Sequence, residues 1–157
     1  TGFGLAHATE IAAGFCDIEL AGARVAVQGF GAVGIHAARF LAEKGAVLVA
    51  ASDSRGATAA AGGLDVAALA EHKRSGKAVA EVTGGQPIPS DSLLDVECED
   101  WGPAARPDVI REDNVDRLRT KLVVAGANIP ATAAAETRRP SRRRSQIRSC
   151  AASSATS

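Results

Sequence analysis

The stretch 24–34 constrains this chain more than any other part of the sequence. A short apolar run leads directly into the pattern G-x-G-x-x-G at residues 29–34, and a helical pattern follows over residues 32–44. Residues 46–51 then form a second apolar run, typical of a buried strand. A strand, a glycine turn, a helix and a strand in this order make a βαβ unit. The predicted fold class is α/β, a single-domain Rossmann-like doubly wound parallel sheet.

Each glycine of this turn has a predicted mechanical role. Gly29 permits the tight turn, Gly31 leaves room for a pyrophosphate, and Gly34 lets the helix lie close to the strand. The first amides of the helix and its dipole favour negative charge in that space. An ordinary glycine-rich turn is the alternative, since the chain has 16 glycines. The flanking strands and helix favour a dinucleotide-binding turn.

Asp53 follows the second predicted strand, where an acid is expected to bind a ribose hydroxyl. This acid favours the free 2′-hydroxyl of NAD and repels the 2′-phosphate of NADP. Arg55 acts in the opposite sense if it pairs with that phosphate, and otherwise it is a solvated loop charge. The sequence therefore predicts NAD or NADP as cofactor and leaves the choice open.

Length and composition favour one domain with an aliphatic core. The chain has 157 residues, of which 46% are hydrophobic and only 3% aromatic, as suits a parallel sheet buried under helices. No apolar run is long enough to span a membrane, so no membrane partner is expected. Cys16, Cys98 and Cys150 form neither a metal pattern nor a disulfide framework, which indicates a reducing, cytoplasmic location and no metal site.

The composition changes abruptly near residue 137. Six of the 18 basic residues and none of the 18 acidic ones lie in 137–157, so residues 1–136 are net acidic. We predict a Rossmann domain over 1–136, incomplete on its C-terminal side, and a disordered Arg/Ser-rich tail over 137–157. Such a tail either contacts nucleic acid or is a non-functional C-terminal run, the product of a truncated or out-of-frame end. Because no aromatic residues are interleaved, nucleic acid is not expected as a partner.

The remaining segments give a coarse secondary structure. We predict a loop at 56–63, a helix opened by the N-cap Asp65, irregular chain at 77–92, a polar helix at 108–119 and a strand at 122–125. Ligands of such sheets bind beyond the carboxyl ends of the strands. The residues expected at that edge are Gln28, Gly29, Ser52, Asp53, Pro103, Ala104, Ala105, Gly126, Ala127 and Asn128.

Together with these strand ends, several short motifs resemble the C-terminal cofactor domain of the glutamate/leucine/phenylalanine/valine dehydrogenases. The matching pieces, in order, are Thr1-Gly2-Phe3-Gly4, Val27-Gln28-Gly29-Phe30-Gly31-Ala32-Val33-Gly34, Ala51-Ser52-Asp53-Ser54-Arg55-Gly56, Gly63-Leu64-Asp65, Pro103-Ala104-Ala105 and Gly126-Ala127-Asn128-Ile129-Pro130-Ala131-Thr132. The resemblance covers residues 1 to about 136. Its Ser-Asp-Ser and Gly-Ala-Asn pieces are most similar to glutamate dehydrogenase.

The resemblance implies NAD(P)-dependent oxidative deamination of an amino acid, glutamate first, to a 2-oxo acid and ammonia. It implies that Thr1 and Asn128 lie near the nicotinamide, that Ala104 and Ala105 run beside the cofactor, and that Asp53 and Ser54 meet the adenosine ribose. Asn128 also suits a helix N-cap before Pro130, and both roles are compatible. The full predicted cofactor-binding set is Thr1, Gly29, Phe30, Gly31, Ala32, Val33, Gly34, Asp53, Ser54, Ala104, Ala105 and Asn128.

The chain also departs from that family. No lysine and acid set matches the family's substrate domain, so no catalytic residue is predicted, and we expect a fragment that needs a separate substrate domain to act on an amino acid. The strand before Pro103 carries Gly102, which is expected to weaken it. The sequence leaves open whether the chain forms a homo-oligomer. Two alternatives remain: a stand-alone nucleotide-binding module whose basic tail contacts nucleic acid, and a chain that does not fold.

Overall fold

The computed structural model describes residues 2–105, 108–126, 131–137 and 148–149. Within these residues the chain forms one seven-stranded sheet, four α-helices and three short 3-10 helices. The helices and strands in chain order are α1 Gly2–Phe15, β1 Arg24–Gln28, α2 Ala32–Glu43, β2 Val47–Asp53, β3 Gly56–Ala59, α3 Val66–Arg74, β4 Gln86–Ile88, β5 Cys98–Pro103, β6 Thr120–Val123, α4 Ala133–Thr137 and β7 Arg148–Ser149. The 3-10 helices are Val79–Glu81, Ser90–Asp95 and Val115–Arg117.

The strand order is β4-β3-β2-β1-β5-β6-β7. From β1 the chain builds outward through β2, β3 and β4, and it then returns to place β5 on the other side of β1. The strand order therefore reverses between β1 and β5, which is the position where doubly wound sheets bind ligands. The predicted α/β class with a Rossmann-like sheet is confirmed.

The sheet is mixed rather than wholly parallel. Strand β3 pairs antiparallel with β2, and β4 pairs antiparallel with β3, whereas the other neighbours are parallel. The loop predicted at 56–63 and the irregular segment at 77–92 were therefore wrong in part. Ala57 and Thr58 are fully buried, and this burial stabilises a strand in a segment whose small residues favour a loop.

The two faces of the sheet are covered differently. Val25 and Val27 of β1 point to the face where α2 and α3 pack, joining Leu41 and Leu69 in one apolar cluster. The opposite face packs Trp101 of β5 into a second cluster, which the short 3-10 helices help to cover. Helix α1 packs on α2, and it also reaches the sheet, where Thr9 bonds Asp100 of β5 and Leu5 joins a cluster with Leu122 of β6. Strand β5 includes Gly102 and forms, although glycine at this position is expected to weaken it.

Helix α3 begins and ends as the sequence predicts. The Asp65 side chain caps it by accepting a hydrogen bond from the Ala68 amide at 3.0 Å. Gly76 follows the helix with φ of +82°, a conformation that glycine adopts without strain. Because the helix starts near the amino ends of the parallel strands, its last turn lies at the carboxyl edge.

The polar helix predicted at 108–119 is wrong. Only Val115–Arg117 is helical there, as one 3-10 turn. The Asn114 side chain explains the difference: it accepts from the Arg111 amide at 2.7 Å and donates to the Val109 carbonyl at 3.0 Å. Such local side-chain bonds close a turn and compete with an α-helix.

The predicted tail enters the described structure at only three residues, Thr137 at the end of α4 and the two residues of β7. Arg148–Ser149 pairs in parallel with Leu122 and Val123 of β6, which the sequence analysis does not predict. The rest of the tail lies outside the described residues, so the division at residue 136 and the predicted disorder stay predictions. None of the described helices has the length and apolar character needed to cross a membrane.

Candidate functional site at the carboxyl edge of the sheet

The glycine turn lies at the strand-order reversal and is held on both sides. The amides of Gly29 and Phe30 both donate to the Ser52 carbonyl, at 3.0 and 2.6 Å. On the β5 side, the Ala104 amide donates to the Gln28 carbonyl at 2.7 Å. Gly29 has φ of +97°, and a Cβ there would collide with Ala105. Glycine at position 29 is therefore required by the fold itself.

Gly34 is also required by packing. A Cβ on Gly34 would collide with the Gly29 carbonyl and would lie 3.0 Å from Val27 Cγ1. Helix α2 can lie this close to β1 only because position 34 has no side chain. The packing role predicted for Gly34 is confirmed.

Gly31 differs from the other two glycines because nothing in the fold requires it. Its φ of −99° is accessible to any residue, and a Cβ there would have no atom within 4 Å. A side chain at this position would extend into open space at the start of α2. The absence of a side chain at Gly31 therefore keeps that space free without contributing to packing.

The space beside Gly31 suits an anion. Gly31 is the N-cap of α2, and the amides of the first helical turn have no acceptor within the helix. The exposed Ala32 and half-buried Val33 carry two of these amides, and no acidic residue occupies the first turn. The helix dipole adds partial positive charge, so a phosphate group fits this position.

Phe30, by contrast, lies in the core. Its side chain is completely buried in the apolar cluster under α2, and its amide is bound to Ser52. The sequence predicts Phe30 among the cofactor-binding residues. The structure gives it a packing role and leaves no side-chain atom at the surface of the site.

Asp53 at the end of β2 already accepts three hydrogen bonds within the protein. Its Oδ2 accepts from Lys73 Nζ at 2.6 Å and from the Val79 amide at 3.2 Å, while its Oδ1 accepts from the Arg55 amide at 2.8 Å. The Asp53 side chain is only 7% exposed. Burial opposes ionisation, but the hydrogen bonds from Lys73 and the two amides outweigh it and lower the pKa of Asp53. The sequence predicts a free acceptor for a ribose hydroxyl at Asp53, whereas this carboxylate lies in an ion pair with Lys73.

Ser54 and Arg55 form the exposed tip of the β2–β3 hairpin. The Arg55 guanidinium donates to the Gly76 carbonyl, just beyond α3, at 2.8 Å. Arg55 is therefore more than a solvated loop charge, because it ties the hairpin to the end of α3. A guanidinium has five N–H donors, so further ones remain for a ligand.

A crevice lies at the strand-order reversal between β1 and β5. The glycine turn forms one wall of this crevice, and the segment after β5 forms the other. Ala104 is half-buried and Ala105 is exposed beside Gly29. The Gly126 amide donates to the Pro103 carbonyl at 2.8 Å, which carries this wall toward the end of β6. Thr1 and Asn128, the residues expected near a nicotinamide, lie outside the described residues.

Two polar groups lie near the site: Gln28, which the sequence predicts at this edge, and Lys73, which it does not. Gln28 Oε1, at the end of β1, is buried with no hydrogen-bond partner among the described residues. Lys73 lies in the basic last turn of α3, at the same edge of the sheet as Asp53. The sequence does not predict this position, because the antiparallel strand β3 is what returns the chain to the amino edge before α3 begins.

Among the described residues, the histidines and cysteines do not form a metal-binding group. His72 Nε2 donates to the Ala78 carbonyl at 2.9 Å, and the exposed His7 lies beside Glu10. Burial raises the pKa of Cys98 to about 12, so its thiol stays protonated and unreactive. In the part of the chain that the structure describes, no three His, Cys, Asp or Glu side chains form a metal-binding group.

The glycine turn at a strand-order reversal defines a Rossmann-like α/β domain. A family model described as glutamate/leucine/phenylalanine/valine dehydrogenase matches residues 1–154. The chain belongs to this dehydrogenase family.

The similar proteins are named as glutamate dehydrogenases. The chain is 43% identical to the glutamate dehydrogenase of Aeropyrum pernix over 136 residues, which are 87% of this chain and 32% of that relative. It is 37% identical to the NADP-specific glutamate dehydrogenase of Saccharolobus shibatae, over 87% of this chain and 32% of the relative. A crystal structure of the hetero-hexameric enzyme from Thermus thermophilus superposes with a TM-score of 0.76 at 30% identity, over 86% of this chain and 32% of that one. The chain spans about a third of the length of these relatives.

Proposed function

We propose that this chain is the C-terminal, cofactor-binding domain of an NAD(P)-dependent glutamate dehydrogenase. The observation that carries the proposal is Gly31. Packing and backbone conformation account for Gly29 and Gly34, whereas neither accounts for Gly31. An open position before free helix amides fits the pyrophosphate of a dinucleotide, and relatives named as glutamate dehydrogenases supply the enzyme class.

In this proposal each wall of the crevice holds one part of the cofactor. The amides at the start of α2 bind the pyrophosphate, Ala104 and Ala105 run beside the dinucleotide, and the hairpin tip at Ser54 and Arg55 faces the adenosine ribose. The nicotinamide end extends toward Thr1 and Asn128, as the family resemblance implies. The bound nicotinamide supplies the hydride acceptor for oxidative deamination of glutamate to a 2-oxo acid and ammonia.

We further propose that the groups that bind and deprotonate the amino acid come from a part of the enzyme outside this sequence. The chain spans about a third of its relatives, which leaves ample length for a substrate domain. A cytoplasmic location accords with the free thiols of Cys16 and Cys98. An oligomer is the arrangement we propose for the whole enzyme, by analogy with the hetero-hexameric Thermus thermophilus structure.

Titration of the purified chain with NADH and NADPH, followed by nucleotide fluorescence, tests the cofactor proposal. We expect saturable binding that Gly31→Val abolishes, because the valine side chain fills the pyrophosphate space. The matched control is Gly62→Val, since a Cβ at Gly62 also meets no atom within 4 Å but lies in the loop before α3, at the opposite edge of the sheet. Unchanged affinity in a folded Gly31→Val chain would place the site elsewhere.

Turnover tests the second part of the proposal. We expect the chain to bind NAD(P) and to give no glutamate-dependent NADH or NADPH production, because proximity to a bound substrate and a base is needed for the reaction. Glutamate oxidation by this chain alone would contradict the proposed division of labour.

A further inference from the structure

The environment of Asp53 bears on how the site distinguishes NAD from NADP. An acid at the end of the second strand commonly binds the ribose hydroxyls of NAD and repels a 2′-phosphate. That selection requires a carboxylate that is both accessible and uncompensated. Asp53 meets neither condition, because its side chain is 7% exposed and lies 2.6 Å from the Lys73 ammonium.

The position of Lys73 keeps the negative charge of Asp53 neutralised. Its side chain is only 20% exposed, and it reaches Asp53 from the last turn of α3. A charge pair at this distance and burial is much less screened by solvent than an exposed pair. The hairpin and α3 are also joined by the Arg55–Gly76 hydrogen bond, which limits their relative movement.

The remaining contacts of Asp53 give it a structural task. Its Oδ1 closes the two-residue turn of the hairpin by accepting from the Arg55 amide, two residues ahead. Its Oδ2 also accepts from the Val79 amide at the start of the 3-10 helix Val79–Glu81. These contacts use three of the carboxylate's roughly four acceptor positions, and its burial restricts the access of a ribose hydroxyl to the one that remains.

We propose that Lys73 is a specificity-determining residue: by pairing with Asp53 it cancels the acid's discrimination, so that the site accepts a 2′-phosphate as well as a 2′-hydroxyl. This inference rests on the proposed binding of a nicotinamide dinucleotide at this edge. Asp53 is accordingly a positioning residue, and the site binds both NADH and NADPH.

The test compares Lys73→Met, Asp53→Asn and the double variant in the full chain. The readout is the ratio of the NADPH and NADH dissociation constants, with a thermal melt for each variant to establish folding. Lys73→Met leaves the acid uncompensated, so we expect NADPH to weaken by about tenfold more than NADH. Adding Asp53→Asn removes that repulsion, so the double variant returns the ratio to that of the parent.

Two further variants sharpen the comparison. Lys73→Arg keeps the positive charge and is expected to keep the parent ratio, which a role in packing alone would not predict. Lys121→Met removes one positive charge from β6 at the far edge and is expected to leave the ratio unchanged. Lys73→Gln replaces Lys73→Met if the latter does not melt cooperatively.

Each other outcome overturns the inference in a recognisable way. If the double variant keeps the NADPH defect of Lys73→Met, Lys73 contacts the phosphate itself. If Lys73→Met weakens both nucleotides equally, the pair is only structural. If Asp53→Asn alone strengthens NADPH and weakens NADH, Asp53 reads the ribose despite Lys73. If the folded parent binds neither nucleotide, the proposed function fails and this inference fails with it.

Discussion

At the scale of single residues, Asp100 is a buried carboxyl group whose surroundings disfavour its charged form. It lies in β5 at the centre of the sheet, 3% exposed, and its Oδ1 has no hydrogen-bond partner among the described residues. Burial raises the pKa of Asp100 from 3.8 to about 7, although the Thr9 hydroxyl and the Val124 backbone oppose the shift. The folded chain therefore prefers the protonated acid.

This preference predicts a loss of stability as the pH rises. The unfolded chain ionises Asp100 near pH 4, whereas the folded chain retains the proton to about pH 7. Above pH 7 the folded state is disfavoured by on the order of 4 kcal/mol relative to a chain with a neutral group at this position. Asp100→Asn is expected to match the parent near pH 4 and to be more stable at pH 8, as measured by urea unfolding at both values.

The control for this measurement is Asp95→Asn, which removes an exposed carboxylate. Asp95 lies 2.7 Å from Arg117, and this hydrogen bond lowers the pKa of Asp95, opposite in sign to Asp100. Its replacement is therefore expected to give no gain in stability at pH 8. A difference between Asp100→Asn and the parent that did not change with pH would contradict the assignment to Asp100.

Local sequence patterns predict the structure correctly where a residue type has a single physical role, such as glycine in a tight turn or aspartate at a helix N-cap. The turn at 29–34 and the cap at Asp65 depend on neighbouring backbone, so the sequence predicts them directly. The pair of Asp53 with Lys73 joins residues far apart in sequence and depends on where α3 ends. Asn114 stopped the predicted helix by bonding its own neighbours, an outcome that apolar spacing does not reveal.

At the scale of secondary structure, α3 links the two edges of the sheet. Asp65 caps it at the amino edge, and Lys73 meets Asp53 at the carboxyl edge. Asp65→Ala is expected to cost about 1 kcal/mol of unfolding free energy, because the first helical amides lose their acceptor. Urea unfolding measures this loss, and Asp65→Ser, which keeps a capping oxygen, is expected to recover most of it.

The antiparallel strands β3 and β4 were not predicted, for a reason that also belongs to this scale. The sequence of β3, Gly-Ala-Thr-Ala, has no large apolar residue, and β4 contains Pro87. Strand β3 forms because β2, which is paired with β1 on one side, offers its other edge, and because Ala57 and Thr58 are buried. Strand β4 then pairs with β3. Tertiary context outweighed weak local preference here.

At the scale of the whole molecule, the basic tail meets the domain at the edge strand β6. Deleting residues 138–157 removes the pairing of Arg148–Ser149 with β6 together with six arginines. We expect the shortened chain to self-associate more readily, because an uncovered parallel edge pairs with other chains. Sedimentation velocity at increasing concentration measures this tendency.

The same deletion is expected to leave nucleotide affinity unchanged, since the described tail strand pairs with Leu122 and Val123 within β6 and not with the glycine turn. A matched chain in which the six tail arginines are replaced by serine separates the effect of charge from that of strand pairing. Loss of NADH binding on deletion would contradict the placement of the site.

The double hydrogen bond to the Ser52 carbonyl has a thermodynamic consequence. Because Gly29 and Phe30 share one acceptor on the neighbouring strand, the turn loses its conformational freedom when the protein folds, not when a ligand arrives. A ligand at Gly31 would then meet a preorganised surface, so little of its binding free energy would be consumed in ordering a loop. Association at this edge should accordingly resemble docking to a rigid body, with rates governed by diffusion and electrostatic attraction to the start of α2.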